Sequence, residues 1–501
     1  MPALIGVDIG TQGVKAVIFS QDGRALASAF RKSHLNRPEP GVVEEDPEFQ
    51  LQSVCEGIRE CVETSGATGG DVAAVGIDGQ MAGIIGIGAD GRNVTPYDSW
   101  LDERCGPMAR FMSEQAGAAV IEKSGGPPSF NHGPKILWWK RVRPHVYESI
   151  ASFVQPSGYV VMRLCGLAAE QAFIDSTYLH FSGFADNWGL CWDDGLCREF
   201  DVSPGKLPRI VAPHEHIGEL TQPMAERCGL TAGTPLVAGC GDTAASFLAC
   251  GAAEPGIGVD VAGTASVFAG TVRSATPDVE HGMLNCGRSA VPGLWHPYAY
   301  IGGGGMNLEW FRESVAGSED QRLSLETLDA MAGEVAGEDD LPFFAPHLSG
   351  RACPSQPGLR GAWAGVRPEH GTAHLYHALL EAVPLEYAAY LDAIREVCPD
   401  HDLSELRVTG GGERSAVWNQ IKADVLGVPL VQIAGSEGAP RGAAMLAGFG
   451  VELIPDLRNA ASAWVGAGRA TQPDPERVCR AAARKGRYRD LLELLDQWSH
   501  V

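Results

Sequence analysis

A Gly-Thr bend between short apolar runs occurs twice in this chain. Near the start, Val7 Asp8 Ile9 Gly10 Thr11 Gln12 Gly13 runs into Val14 to Phe19; about half-way along, Val261 Ala262 Gly263 Thr264 Ala265 runs into Ser266 to Ala269. Each copy reads as a β-hairpin with Gly-Thr at its bend. Glycine lets the backbone turn tightly and bring its amides close to a ligand, and the threonine hydroxyl adds a donor for a phosphate oxygen. Turn geometry alone also selects glycine, so one copy carries little. Recurrence carries more, because a repeated unit implies two related lobes that face a shared cleft and grip one polyphosphate from both sides.

Length fits that division. With 501 residues, 45% of them hydrophobic, the chain exceeds one ordinary core and is expected to form two lobes. No apolar run reaches the length of a membrane span, and Leu4 to Ile9 begins a strand without a preceding basic segment, so a cytoplasmic protein is expected. The net charge of −23 argues against nucleic acid or an anionic membrane as the main partner. A nucleotide triphosphate is still compatible with it, because amides, a magnesium ion and a lysine such as Lys15 act locally, whereas the acidic surface is screened within about 10 Å. The 13 cysteines contain no Cys-x-x-Cys, which suits reduced buried thiols. His214 and His216 flank Glu215 in a stretch read as an exposed loop rather than a metal site.

Short β-type runs alternate with helical stretches, the pattern of α/β lobes. Val72 to Ile77 and Gly83 to Gly88 bracket the turn Asp78 Gly79 Gln80 Met81. Leu236 to Cys240 reads as one buried strand, Gly241 Asp242 as a bend, and Thr243 to Cys250 as a helix. Further on, Leu406 to Thr409 leads into Gly410 Gly411 Gly412, a helix over about Ser415 to Leu426, and the strand Pro429 to Ile433. A strand, a glycine turn and a helix start make a place where nucleotide lies against backbone. The Gly- and Pro-containing interval Ala252 to Gly258 places the lobe boundary near residue 250, dividing the chain into 1–250 and 251–501. Ser314 to Asp340 reads as an acidic, exposed helical insertion, and Arg477 to Leu495 as a terminal amphipathic helix.

Asp242 is the residue singled out for chemistry. Before Thr243 Ala244 Ala245 it reads as a helix N-cap, and at a strand end facing a cleft it also suits a base that takes a hydroxyl proton while the oxygen attacks phosphorus. Asp8 is read in two ways as well: as an acceptor for turn amides, or as a carboxylate serving a phosphate-bound Mg²⁺.

These segments resemble the FGGY carbohydrate kinases, and among them the xylulokinase group, over about residues 4 to 450. Asp8 Ile9 Gly10 Thr11 matches the first phosphate motif, Gly239 to Ala245 the base segment, and Gly263 Thr264 the second phosphate motif. Gly361 Ala362 Trp363 Ala364 Gly365 Val366, continuing to His374 Leu375 and Ala378 to Glu381, follows the C-terminal signature, and Gly410 to Ser415 with Trp418 the adenosine turn. The resemblance implies two ribonuclease-H-like domains of the actin and Hsp70 ATPase type facing a central cleft, with sugar and phosphate on the first and adenosine on the second. It implies Asp242 as the base, Asp8 on the magnesium side, and Thr11 and Thr264 around the phosphates, with Gly10, Gln12 and Lys15 in the first turn and Gly263 in the second. Gly305, Gly411 and Gly412 would line adenosine. Gln80, Met81 and the Trp100 to Arg104 segment, with Trp100 and Asp102, would border the sugar beside Asp242 and Thr243. ATP, Mg²⁺ and a small sugar are the implied ligands, and a homodimer the implied assembly.

The chain departs from the group at Ala82, where Gln-Met-His is usual, at Thr243, where Asn is usual, at Gln12, where Ser or Thr is usual, and before Arg351, where Glu is usual. These departures spare the base and both threonines and bear on the sugar. The implied activity is an ATP-dependent sugar kinase with D-xylulose as the first candidate and another ketose or a polyol as alternatives. The contrasting reading is a catalytically weak sensor of nucleotide and sugar, or an ATPase.

Overall fold

The structure, a computed structural model, describes residues 2–317, 322–399, 401–434 and 437–499. It is built on two mixed sheets. In the first, β1 (Ala3–Ile9), β2 (Gly13–Ser20) and β3 (Ala25–Lys32) form an antiparallel meander. β4 (Val72–Gly79) joins β1 in parallel, β5 (His216–Glu219) forms the far edge, and β6 (Pro235–Val237) lies between β4 and β5. β7 (Cys240–Gly241) also pairs with β4. In the second sheet, β8 (Ile257–Ala262), β9 (Ser266–Ala269) and β11 (Trp295–Ile301) form the meander, with β10 (Asn285–Arg288) added at its edge. β12 (Glu405–Thr409) and β13 (Leu430–Ala434) continue from β8 in parallel, and β14 (Gly466–Thr471) closes the edge antiparallel. Apart from β7 and β10, the two sheets share one order of parallel and antiparallel pairings. The duplication inferred from two Gly-Thr bends thus extends to whole sheets.

The central strands are apolar along their length because both faces are covered: Leu4, Ile5, Val7 and Ile9 of β1 are all buried. On one face lies α1 (Pro47–Ser65), started by Asp46, whose side chain accepts from the Glu48 amide, with Pro47 in the first turn, and ended by Gly66 at φ 78°. Two glycines let α7 (Ala439–Gly450) lie on the other face. A Cβ on Gly6 would sit 1.7 Å from the Pro440 carbonyl oxygen, and one on Gly76 would sit 2.1 Å from that of Ala443. One apolar cluster accordingly pools Leu4, Val17 and Phe19 with Met445, Leu446 and Trp464. Packing therefore crosses the division at residue 250: a helix from the second half covers the first sheet.

The run read as a single strand over Leu236 to Cys240 is two strands. Gly239 breaks it at φ 76°, and a Cβ there would meet the Ile77 carbonyl oxygen at 1.8 Å. The segment read as an exposed acidic insertion is a correction of another kind. α3 (Gly305–Ser314) ends at its start, 318–321 lie outside the described residues, and α4 (Leu325–Val335) packs Leu328 and Ala332 into the second lobe's core and buries Val335 as well. An apolar stripe at helical spacing was hidden among the acidic residues. That core is completed by α5 (Thr372–Val397), α6 (Ala416–Leu426) and α8 (Pro475–Ser499), the last burying Ala481, Tyr488 and Leu492 as an amphipathic helix should. Among the described residues, no helix is long and apolar enough to cross a membrane.

Candidate active site

The first bend is a tight hairpin: the Gly10 amide donates to the Gly13 carbonyl at 3.1 Å and the Gly13 amide to that of Gly10 at 3.2 Å. Thr11 and Gln12 occupy its tip, Gln12 exposed. The second bend repeats this with one residue fewer, the Gly263 amide donating to the Ala265 carbonyl at 3.0 Å and Thr264 exposed. Both threonines therefore stand at the tips of corresponding hairpins, one on each sheet.

Between them in the chain lies α2 (Asp242–Ala249), started directly by the end of β7. Gly241 is its N-cap and Asp242 its first residue, which corrects the capping position read from sequence. Asp242 Oδ1 accepts from the Thr243 amide at 2.6 Å and hydroxyl at 3.1 Å, and no hydrogen bond holds Oδ2 among the described residues. Burial and the nearby charge of Asp8 push its carboxyl up to about 7, against the lowering by Thr243. A carboxylate with one anchored and one free oxygen, titrating near neutrality, suits proton acceptance.

A third carboxylate lies beside these two. Asp78 of β4 is the register partner of Asp8 on one side and Cys240 on the other, is fully buried, and, the Asp8 carboxyl aside, has no hydrogen-bond partner on either oxygen among the described residues. Burial, then repulsion from Asp8 and Asp242, raise it well above the ordinary carboxylate range. Asp8 is raised to about 6 by burial, opposed by its hydrogen bond with Asp78 and by Lys15. One proton shared across the pair accounts for both directions, since adjacent buried carboxylates do not both ionise. Asp8 Oδ1 is buried and otherwise unpartnered among the described residues. Among the described residues, no group of three or more Asp, Glu, His or Cys side chains converges to hold a metal ion by itself. The stretch read as an exposed loop is one only in part: His214 is half-buried against Phe449, its ring 4.8 Å away, and His216 opens strand β5, exposed.

The sugar-side expectations divide. Trp100 is 41% exposed, and its indole N–H donates to Thr11 Oγ1 at 2.8 Å, so it stands over the first bend. Gln80, by contrast, is fully buried; it donates to Glu45 Oε1 at 2.8 Å and accepts from the Thr11 hydroxyl at 3.4 Å. Met81 lies beneath Gly241 in an apolar cluster with Ile174 and Tyr178. Asp102 is fully buried too, accepting from the Val43 amide at 2.7 Å and from Arg104 Nε at 2.8 Å. These three support the wall instead of presenting a polar face. Asp102 and Lys135, whose Nζ donates to the carbonyls of Ser99 and Asp102, fix the loop that carries Trp100. Ala82 holds φ 60°, a left-handed conformation that a residue with a Cβ rarely adopts.

On the nucleotide side, the Gly305 amide donates to the Gly263 carbonyl at 2.9 Å and Met306 to that of Thr264 at 3.1 Å. Gly305 thus braces the second bend, a closer task than lining adenosine. Gly410 approaches β8 at φ 95°, Gly411 faces open space, and a Cβ on Gly412 would strike Trp418 at 2.7 Å. Of the expected pair, only Gly411 is open. Lys15 is held by Glu437, its Nζ 2.8 Å from Oε2 and 3.0 Å from the carbonyl oxygen. Sequence reading missed Asp78, Glu45 and Glu437. Asp78 had a signal: a charged residue ending an apolar strand that lies beside β1, in line with Asp8.

Two family models match this sequence, those of the N-terminal and C-terminal domains of the FGGY family of carbohydrate kinases, over residues 3–249 and 259–451. Xylulose kinase of Escherichia coli (strain K12) is 28% identical over 98% of this chain and 99% of that protein. Gluconokinase of Bacillus subtilis (strain 168) is 26% identical over 92% of this chain and 90% of that one. The crystal structure of xylulose kinase from Rhodospirillum rubrum superposes with a TM-score of 0.91 at 26% identity, covering 100% of both chains.

Proposed function

The chain belongs to the FGGY family of carbohydrate kinases and is an ATP-dependent sugar kinase of ribonuclease-H-like fold; on that premise we propose that Asp242 is its base and a small ketose, D-xylulose first, its acceptor. Relatives named for xylulose and for gluconate lie at similar identity, so the family alone leaves the acceptor open. What supports this assignment of roles is Asp242 itself, which starts α2 from a strand of the same sheet as the first Gly-Thr hairpin, with one oxygen unbonded among the described residues and its carboxyl pushed up to about 7.

In this reading the γ-phosphate lies between Thr11 and Thr264, cradled by the amides of both bends, and adenosine lies by Gly411. The sugar occupies the space under Trp100, and its attacking hydroxyl donates to Asp242 Oδ2. Asp242 takes that proton as the oxygen bonds to phosphorus, while Thr243 keeps the carboxylate oriented. Asp8, with its unpartnered Oδ1, would hold Mg²⁺. Such an ion, when bound, supplies positive charge to the phosphate oxygens. Lys15 is drawn to the phosphates from Glu437 as ATP enters.

ADP release with Mg-ATP against a panel of ketoses, polyols and sugar acids tests the acceptor. D-xylulose giving the highest kcat/KM supports the reading. A higher value for another sugar moves the acceptor and keeps the base, and no stimulation by any of them contradicts the proposal.

A further inference from the structure

Far from the bends, the second lobe contains a cavity of about 220 Å³ between α8, α5, α6 and the segment after α4. One face of α8 supplies Arg477, Arg480, Arg484 and Arg487 to it, spaced by three, four and three residues, so all four point the same way. Two are committed. Arg484 grips Glu381 with Nε and a terminal nitrogen and also donates to the Leu341 carbonyl at 2.9 Å. Arg477 faces Asp424 at 3.7 Å.

The other two are not. Among the described residues Arg480 has only Asp339 at 3.9 Å, a carboxylate whose side chain is 86% exposed, and a long contact to the Gly337 carbonyl. Arg487 lies over the Phe343 ring at 5.2 Å with no carboxylate partner among the described residues. Opposite them, His377 lines the cavity, is 4% exposed, and has Nδ1 buried without a hydrogen-bond partner among the described residues. Glu338, also at the cavity, is turned to His374 at 3.2 Å. The interior therefore offers two guanidinium groups with spare donors, a histidine nitrogen with spare capacity, and the carboxylates of Glu381 and Asp424.

We propose that this cavity is a second ligand site, for a small organic phosphate carried on a polyhydroxylated chain. Arg480 and Arg487 take the phosphate, since a guanidinium fork matches phosphate oxygens. His377, Glu381 and Asp424 meet the hydroxyls. The acids balance the arginines in number, which disfavours a polyanion such as a nucleoside triphosphate. The volume, below that of a drug-sized pocket, matches a sugar phosphate. The site is separate from the cleft: neither Asp242 nor either Gly-Thr bend lines it.

Calorimetric titration of the full chain, without ATP, with D-ribose 5-phosphate, D-ribose and inorganic phosphate tests this. Wild type should bind the ester most tightly, and Arg480→Gln/Arg487→Gln should weaken it at least about tenfold, with kcat and the KM for ATP unchanged. Any binding common to both proteins belongs to the cleft, so equal affinity in the two overturns the proposal. So does no binding by wild type up to about 10 mM, or D-ribose or inorganic phosphate binding as tightly as the ester. If the double variant does not fold, Arg480→Gln alone should weaken the ester at least about threefold, and unchanged affinity overturns the proposal.

Discussion

Removing one buried charge in the second lobe should cost it several kcal/mol. Asp260 of β8 and Lys422 of α6 form an ion pair with both side chains fully buried; Tyr387 donates to Asp260 Oδ1 at 2.6 Å, and the Lys422 ammonium lies over the Trp418 ring at 4.0 Å. Lys422→Met keeps the apolar stem and leaves Asp260 as an uncompensated buried carboxylate with, among the described residues, only Tyr387 to solvate it. Breaking such a pair from one side costs about 3–5 kcal/mol, whereas removing both charges costs far less. At about 2–4 °C per kcal/mol for a lobe of this size, the second-lobe transition should fall by roughly 6–20 °C. Differential scanning calorimetry measures it. Asp260→Asn combined with Lys422→Met retains an acceptor for Tyr387 and should melt above Lys422→Met alone. A single variant within about 1 kcal/mol of wild type, or a double variant no better than the single, refutes the reasoning. Because β8 runs straight into Gly263-Thr264, the single variant should also raise the KM for ATP.

Other outcomes follow from the same geometry. The acid limb of kcat/KM for the sugar should titrate near pH 7: Asp242 must be ionised to take a proton, so activity falls about tenfold per pH unit below that value and levels off above it. Glu386 is buried, which alone would raise it, yet Arg351 and His347 hold it near 2 against a usual 4.5. Its folded value is depressed, so its contribution, roughly 3 kcal/mol, is present above pH 4.5 and lost as pH falls toward 2. Urea titrations should show that loss in wild type and not in Glu386→Gln. Gly6→Ala drives a Cβ against the Pro440 carbonyl oxygen, and backbone cannot rotate aside; a loss of at least about 3 kcal/mol in urea denaturation is expected.

Much of this architecture was legible because strong local signals agreed with the global one. The β1–β2 and β8–β9 hairpins and the turn at Gly410 were visible as periodicity interrupted by glycine, and α8 as an amphipathic stretch. Position along the chain did not reveal packing partners. α7 covers the first sheet from the second half through the bare faces of Gly6 and Gly76, a contact with no local signature. The site shows the same limit. Asp242, Thr11 and Thr264 could be found in motifs, whereas the burial of Gln80, Met81 and Asp102 depends on Glu45, Gly241 and Val43, distant in sequence. Motif membership located those three residues without indicating that they face inward.

The account rests on Asp242 as the base, and Asp242→Asn tests it most directly. Asparagine keeps the size and a carbonyl acceptor for Thr243 but cannot take the proton. Phosphorylation of the best acceptor from the panel should fall by about 10²–10⁴ in kcat, with the KM for ATP and the melting temperature close to wild type. A variant that keeps most of its sugar-dependent turnover would contradict the account.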